Sequence, residues 1–262
     1  MNDKLVGLIP AAGKGTRIAP LPFSKELFPI GFWENSHRDD NKLLPKAVSN
    51  YLIDQMINAA IQNIIMVVST GKLDLLEYYG SGRNFGIQLS YVFDDNLRGM
   101  PHSMDLAWPW IRNSTVVFGM PDTIFTPSDV FSQLLSRHRE VNADVTLGVF
   151  ETDHPHTLCV VDLDESGRVI YLEDKPLQPL LTTSWGCACW SPRFTNFMHH
   201  YLRKHSEPDN DGEIVLADVF RAALNDGMNV YGVYFGEGEY IDMGTPENLR
   251  TTVGRFSTHS DS

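Results

Sequence analysis

Cysteine is scarce in this chain: among 262 residues there are three, Cys159, Cys187 and Cys189. An odd number with no C-x-x-C pair argues against both a disulfide framework and a zinc site, and leaves buried, reduced thiols as the expectation. Positive charge is in deficit, with 21 Lys and Arg against 33 Asp and Glu and a formal net charge of −12. Binding to nucleic acid rests on many Lys and Arg contacts to phosphate, so no nucleic acid partner is expected. A few cations gathered in one place can still serve a single nucleotide. Long apolar runs are missing too. Stretches such as Asn63-Ile64-Ile65-Met66-Val67-Val68 are far too short to span a bilayer. Met1-Asn2-Asp3-Lys4 has neither the basic flank nor the apolar stretch of a secretion signal. No membrane partner is expected, and a cytoplasmic location is.

What is present is an alternation of strand and helix patterns, in a chain long enough for one large α/β domain or two small ones. Leu5-Val6-Gly7-Leu8-Ile9, a short apolar run between Lys4 and Pro10, suits a buried parallel strand. Lys46 to Gln62 places Val48, Leu52, Met56, Ile57 and Ala60 at helical spacing and leads directly into the strand Ile64 to Val68. Strand, helix, strand opens a parallel sheet, because a right-handed crossover is the usual return. The pattern continues with a helix near Lys72 to Tyr79, a strand Ile87 to Val92, and the loop Asp94 to Ser103 before a helix starting near Ser103. A buried strand pattern follows over Thr115 to Phe125, then a helix Asp129 to Val141 and a strand Ala143 to Val149. From Thr157 the texture changes. Thr157 to Leu163 and Arg168 to Glu173 alternate and are joined by Asp164-Glu165-Ser166-Gly167, an antiparallel hairpin. Helices near Thr195 to Lys204 and over Glu213 to Leu224 precede a strand Asn229 to Phe235. Gly31 to Lys42 reads as a surface excursion, Ser206 to Gly212 as a mobile loop, and Ser257 to Ser262 as a frayed tail.

The turn after the first strand, Pro10-Ala11-Ala12-Gly13-Lys14-Gly15-Thr16-Arg17, is built of small residues that let backbone N–H groups approach a ligand. With Lys14, Arg17 and Lys25 in reach it reads as a phosphate cradle, the plainer alternative being an ordinary tight βα turn with solvated cations. Neither the dinucleotide fingerprint nor the Gly-Lys-Ser/Thr ending of an ATPase phosphate loop fits. Asp122 falls at the carboxyl end of a strand pattern, where open α/β sheets bind ligands, although a lone Asp there is commonly a turn or cap residue.

Gly13-Lys14-Gly15-Thr16-Arg17-Ile18-Ala19-Pro20 and Lys25-Glu26-Leu27-Phe28-Pro29-Ile30 match, residue for residue, the signature G-x-G-T-R-x-x-P followed by K-x-x-x-P-[IVL]. The chain thereby resembles the sugar-1-phosphate nucleotidyltransferases. Further segments resemble that family in order: Gly99 with Ser103, Asp122 in Gly119-Met120-Pro121-Asp122-Thr123-Ile124, Glu173-Asp174-Lys175-Pro176, the helix after Glu213, and Tyr240-Ile241-Asp242-Met243-Gly244-Thr245-Pro246-Glu247. The resemblance runs from Leu5 to Leu249. It implies a Rossmann-like three-layer α/β sandwich with a mostly parallel mixed sheet and a small antiparallel sugar-binding portion. It also implies one domain over residues 1–262, with 1–150 mainly for the nucleotide and 151–250 mainly for the sugar phosphate.

The reaction so implied is attack of a sugar 1-phosphate oxygen on the α-phosphorus of a nucleoside triphosphate, giving a nucleoside diphosphate sugar and pyrophosphate. Ala11, Ala12, Gly13, Gly15 and Thr16 would wrap the triphosphate and Gly99 would face the nucleobase. Arg17 and Lys25 would be the catalytic cations, Asp122 and Asp242 the Mg²⁺ ligands, and Asp174, Lys175 and Gly186 the sugar-phosphate contacts. Subunit number stays open, a homo-oligomer among the options. Three departures bear on substrate: Asp94 where thymidylyl members commonly carry Gln, Cys159 in place of Gly, and Trp185 before the sugar-facing Gly186. A bulkier side chain in a hydroxyl-reading pocket changes which substrate fits. Two other readings therefore remain, a phosphorylated non-sugar acceptor and a nucleotide-binding regulatory subunit without turnover.

Overall fold

A computed structural model describes residues 4–34, 43–205 and 213–257. The expected loop at 206–212, the tail beyond Ser257 and most of the excursion, residues 35–42, lie outside the described residues. β1 (Leu5–Pro10) is followed by β2 (Pro29–Glu34), β3 (Leu43–Ala47), α1 (Val48–Asn58), β4 (Asn63–Val68), α2 (Leu73–Tyr79) and β5 (Gln88–Phe93). Then come α3 (Met100–Asp105), the single turn α4 (Trp108–Ile111), β6 (Thr115–Gly119), β7 (Thr123–Thr126), α5 (Val130–Glu140) and β8 (Val145–Glu151). The remainder comprises β9 (Cys159–Leu163), β10 (Val169–Asp174), β11 (Thr183–Trp190), α6 (Pro192–Lys204), α7 (Leu216–Asn225), β12 (Val230–Tyr234), β13 (Glu239–Asp242) and α8 (Pro246–Ser257).

Among the described residues nine strands form one mixed sheet. β1 lies parallel between β4 and β6, and β5 extends the sheet beyond β4. The apolar run of β1 is buried on both faces, which is what a central parallel strand requires. β11 is antiparallel: β8 pairs along its length, while the other edge meets β6 with Cys187–Trp190 and β9 at Ser184. β12 then joins β8 in parallel, and the expected hairpin is β9 with β10.

Two apolar layers cover the sheet, giving the expected three-layer sandwich. On one side Leu52, Ile53 and Met56 of α1, Leu75 of α2, and Phe131 and Leu134 of α5 pack against Ile9, Met66 and Val117. On the other, Met104 of α3, Phe194, Met198 and Leu202 of α6, and Val219 and Phe220 of α7 pack against Leu8, Phe118, Leu147 and Trp190. α6 shows how sequence sets such a layer. Pro192 sits in its first turn, where a missing N–H costs nothing, Arg203 and Lys204 face the negative end of the dipole, and the buried side chains follow the helical repeat.

Several boundaries differ from expectation. Lys46 belongs to β3, so the helix expected from Lys46 to Gln62 is shortened to α1, and β2 with β3 makes an antiparallel ribbon not foreseen in the polar stretch. α3 begins at Met100 rather than near Ser103, with Pro101 in its first turn. α7 begins at Leu216, leaving residues 213–215 outside the helix, with Val215 extended. The strand expected over Thr115 to Phe125 is broken at Met120-Pro121-Asp122, because Pro121 has no N–H for the ladder. Beyond the break the chain leaves the main sheet: β7 pairs with β13 in a separate antiparallel ribbon, with Asp242 opposite Thr123.

Candidate active site

The site lies at the carboxyl end of β1. Ala11 and Ala12 are buried there: the Ala11 N–H donates to Val67 O at 2.7 Å and Ser69 Oγ donates to Ala12 O at 3.0 Å, so β4 holds the loop entrance. Gly13 and Thr16 are exposed, and Gly15 takes a left-handed φ of 63° that a side chain would resist. Gly15 rests on the Lys25 stem, since a Cβ there would meet Lys25 Cδ at 3.4 Å. The Lys25 ammonium donates to Asp122 Oδ2, and both side chains are largely buried.

Asp122 and Asp242 meet through the β7–β13 ribbon. The Met243 N–H donates to Asp122 O at 2.9 Å, directly after Asp242. The Gly244 N–H donates to Asp242 Oδ1 at 2.7 Å, and Asn248 Nδ2 ties Asp242 O at 2.8 Å. Thr245 caps α8 through the Asn248 N–H at 3.3 Å. A Cβ on Gly244 would stand 2.8 Å from both Arg17 Nη2 and Asp242 Oδ1, which places the Arg17 guanidinium against the second carboxylate.

The electrostatics agree with this crowding. Burial raises the Asp242 carboxyl above its usual range, and the Asp122 charge raises it further, while the Gly244 N–H, Arg17 and Lys25 only partly offset them. Burial alone would lower the Lys25 ammonium, but Asp122, with Glu26 and Asp242, reverses this and holds it above its ordinary value. Two carboxylates thus share one partly buried place beside two cations. Hard oxygen donors of that kind, a like-charge pair that a divalent cation would relieve, fit Mg²⁺.

The other expected contacts surround this centre. Gly99, at φ 104°, caps α3, and a Cβ there would strike the Glu213 carboxylate. Asp94 does not present a free edge to a base. Its Oδ2 accepts from Ser103 Oγ at 2.5 Å and its Oδ1 from the Asn96 and Leu97 N–H groups at 2.9 and 3.0 Å, so it shapes the loop. Asp174 ends β10 opposite Cys159, and Lys175, exposed at its tip, has a left-handed φ of 47°. Gly186 sits where the register of β11 shifts, and a Cβ there would strike Cδ2 of the Tyr240 ring, in the strand that carries Asp242. The shift turns Trp185 onto the α7 face, where it packs on Phe118 and Phe220 with ring centroids 6.1 and 5.3 Å away. Cys159, Cys187 and Cys189 are buried free thiols; burial pushes Cys159 and Cys189 up to about 12 and keeps them protonated. Gly244 carries no expectation from sequence reasoning. Its signal was its place between Asp242 and Thr245, where a glycine lets two charged groups approach.

A glycine loop at a strand end, beside paired acidic side chains and two cations, is an arrangement suited to a nucleotide's phosphates. Residues 6–256 match the nucleotidyl transferase family, and the chain belongs to it. A glucose-1-phosphate thymidylyltransferase of Neisseria meningitidis is 25% identical over 258 residues, covering 96% of this chain and 82% of that protein. A mannose-1-phosphate guanylyltransferase of Mycobacterium tuberculosis is 27% identical over 242 residues, covering 90% and 60%. In fold, the chain is similar to a crystal structure of a Bacillus anthracis protein assigned as a glucose-1-phosphate thymidylyltransferase, with a TM-score of 0.81, 19% identity and coverage of 98% and 97%. Among the described residues no helix is long and apolar enough to cross a membrane.

Proposed function

We propose that this nucleotidyltransferase joins a nucleoside triphosphate to a sugar 1-phosphate, forming a nucleoside diphosphate sugar and pyrophosphate with Mg²⁺ as cofactor. The observation that carries the reading is the meeting of Asp122 and Asp242 beside Lys25 and Arg17, at the mouth of the glycine loop. The names of the thymidylyl and guanylyl relatives support the same chemistry.

An acceptor phosphate oxygen attacks the donor's α-phosphorus, and the bond from that phosphorus to the oxygen bridging the β-phosphate breaks. The attacking oxygen is already ionised, so no protein nucleophile or base is required; positioning and charge neutralisation do the work. The loop Ala11 to Thr16 wraps the triphosphate, with the Ala12, Gly13, Gly15 and Thr16 N–H groups turned to it while the Ala11 N–H is held by Val67 O, and Gly99 lies under the base. Arg17 steadies the charge that grows on pyrophosphate, and Lys25 leaves Asp122 to contact the α-phosphate. Asp122 and Asp242 would hold Mg²⁺, which when bound would neutralise charge at the α-phosphate. Among the described residues no third acidic, His or Cys side chain joins them, so the remaining oxygen donors would come from phosphate and water. Lys175 meets the acceptor phosphate, and Asp174 with the backbone at Gly186 faces the sugar hydroxyls. On this division residues 1–150 mainly serve the donor and 151–250 the acceptor, in a single domain.

The test is pyrophosphate release from a panel of nucleoside triphosphates against a library of sugar 1-phosphates, with and without Mg²⁺. At least one pair is expected to turn over, and Asp242→Ala to abolish that turnover in a folded protein. Near-normal turnover by Asp242→Ala would refute the metal assignment.

A further inference from the structure

Lys25 lies in a single 3-10 turn, Lys25–Leu27, closed by the Leu27 N–H to Ser24 O at 2.8 Å and the Phe28 N–H to Lys25 O at 3.0 Å. So short a turn does not hold its own shape, since one or two hydrogen bonds do not offset the backbone entropy they fix. Its geometry comes from the segment after β4, the 3-10 turn Thr70–Lys72 and the first turn of α2. Asp74 accepts from both the Ser24 N–H and Ser24 Oγ, each at 2.6 Å, fixing the residue before Lys25. Lys72 Nζ pairs with Glu26 Oε2 at 2.7 Å, both side chains buried, fixing the residue after it. Ser69 in the same segment holds Ala12 O. Residues 69–74 also wall, with Lys14, Gly15 and Lys25, a cavity of about 570 Å³. One segment therefore ties the glycine loop and brackets the lysine turn from both sides.

We propose that Asp74 and Lys72 are positioning residues for the transfer reaction, holding the Ser24–Glu26 turn so that Lys25 Nζ reaches the α-phosphate. This rests on the role of Lys25 in the proposed transfer. Their polar ends are taken up in the clamp, Asp74 on Ser24 and Lys72 on Glu26, so each acts through the turn that carries the ammonium. Displacement of a catalytic group by about 1 Å can cost on the order of 100-fold in rate, so loss of the clamp falls on kcat rather than on binding.

The experiment measures pyrophosphate release by Asp74→Ala, Asp74→Asn and Ser24→Ala, each alone and combined with Lys25→Ala, with thermal unfolding in parallel. Asp74→Ala is expected to lower kcat roughly 10–100-fold, with the KM for the triphosphate changed less than about threefold. Asp74→Asn keeps an acceptor for the Ser24 N–H and a donor for Ser24 Oγ, and restores kcat to within about threefold. In the Lys25→Ala background Asp74→Ala should cost nothing further, a non-additivity that a merely structural residue would not produce. Ser24→Ala, which removes one of the two bonds, gives a smaller loss with the same dependence on Lys25, and it decides the matter if Asp74→Ala does not fold. A normal kcat in the folded variants, or an equal loss with and without Lys25, overturns the proposal while the parent enzyme still turns over. A parent chain that releases no pyrophosphate with any pair overturns the transferase reading, and the positioning role with it.

Discussion

Gly244→Ala isolates the contact on which the candidate site depends. Gly244 is buried and lies outside the left-handed region, so alanine's backbone is not strained there. A Cβ would stand 2.8 Å from Arg17 Nη2 and from Asp242 Oδ1, about 0.6 Å short of ordinary contact, which begins at 3.4 Å. Both obstructing atoms are side-chain ends, and Arg17 is exposed, so they can yield without moving the ribbon. The cost therefore falls on the Arg17–Asp242 spacing. A displacement of that size is worth roughly 10–100-fold in kcat/KM, or about 1.4–2.7 kcal/mol of transition-state stabilisation. The assay is coupled pyrophosphate release at saturating Mg²⁺, with a melting curve on the same preparations. Tm should stay within a few degrees of the parent. Unchanged kcat/KM at unchanged Tm would refute the claim that this spacing matters. A large fall in Tm would show that the methyl acts on the fold instead.

Further predictions concern charge, backbone and core. Because Asp242 is raised by burial and by Asp122, it holds its proton more tightly folded than unfolded, so its ionisation costs stability as pH rises through the raised value. Asp242→Asn should therefore raise the Tm at about pH 7–8, and the gain should vanish near or below the ordinary Asp pKa of about 3.9; melts across pH that show a constant difference would contradict this. Lys175→Gly relieves a left-handed residue and removes an ammonium, so Tm should hold or rise while the KM for sugar 1-phosphate increases at least about tenfold, the loss of one charge-assisted contact. Trp190 is fully buried, with the Phe118 and Phe194 rings each 5.6 Å away, and Trp190→Ala should cost about 3–5 kcal/mol in denaturant unfolding.

Legibility in the sequence tracked the range of each interaction. The β1 run, the glycine turn and the β9–β10 hairpin could be read because apolar runs, small residues and alternation act over a few neighbouring positions. The partnership of Asp122 with Asp242 was reached only through resemblance. Nothing local announces that the break at Pro121 hands the chain to a ribbon completed by β13. β2–β3 was hidden because Pro45 and Gly31 blur strand patterning, and the register shifts within that pair. Asp94 could be read only as a departure bearing on the base; that its carboxylate accepts from Ser103 and the Asn96 and Leu97 N–H groups depends on the loop's fold. The brackets around Lys25 come from residues 69–74, whose spacing signals only the start of a helix.

The β7–β13 ribbon stands apart from the nine-stranded sheet, and its second strand is among the last elements of the described chain. Its pairing can therefore open locally, at less free energy than global unfolding takes, and such an opening would part Asp122 from Asp242 while the ladder of the large sheet stays intact.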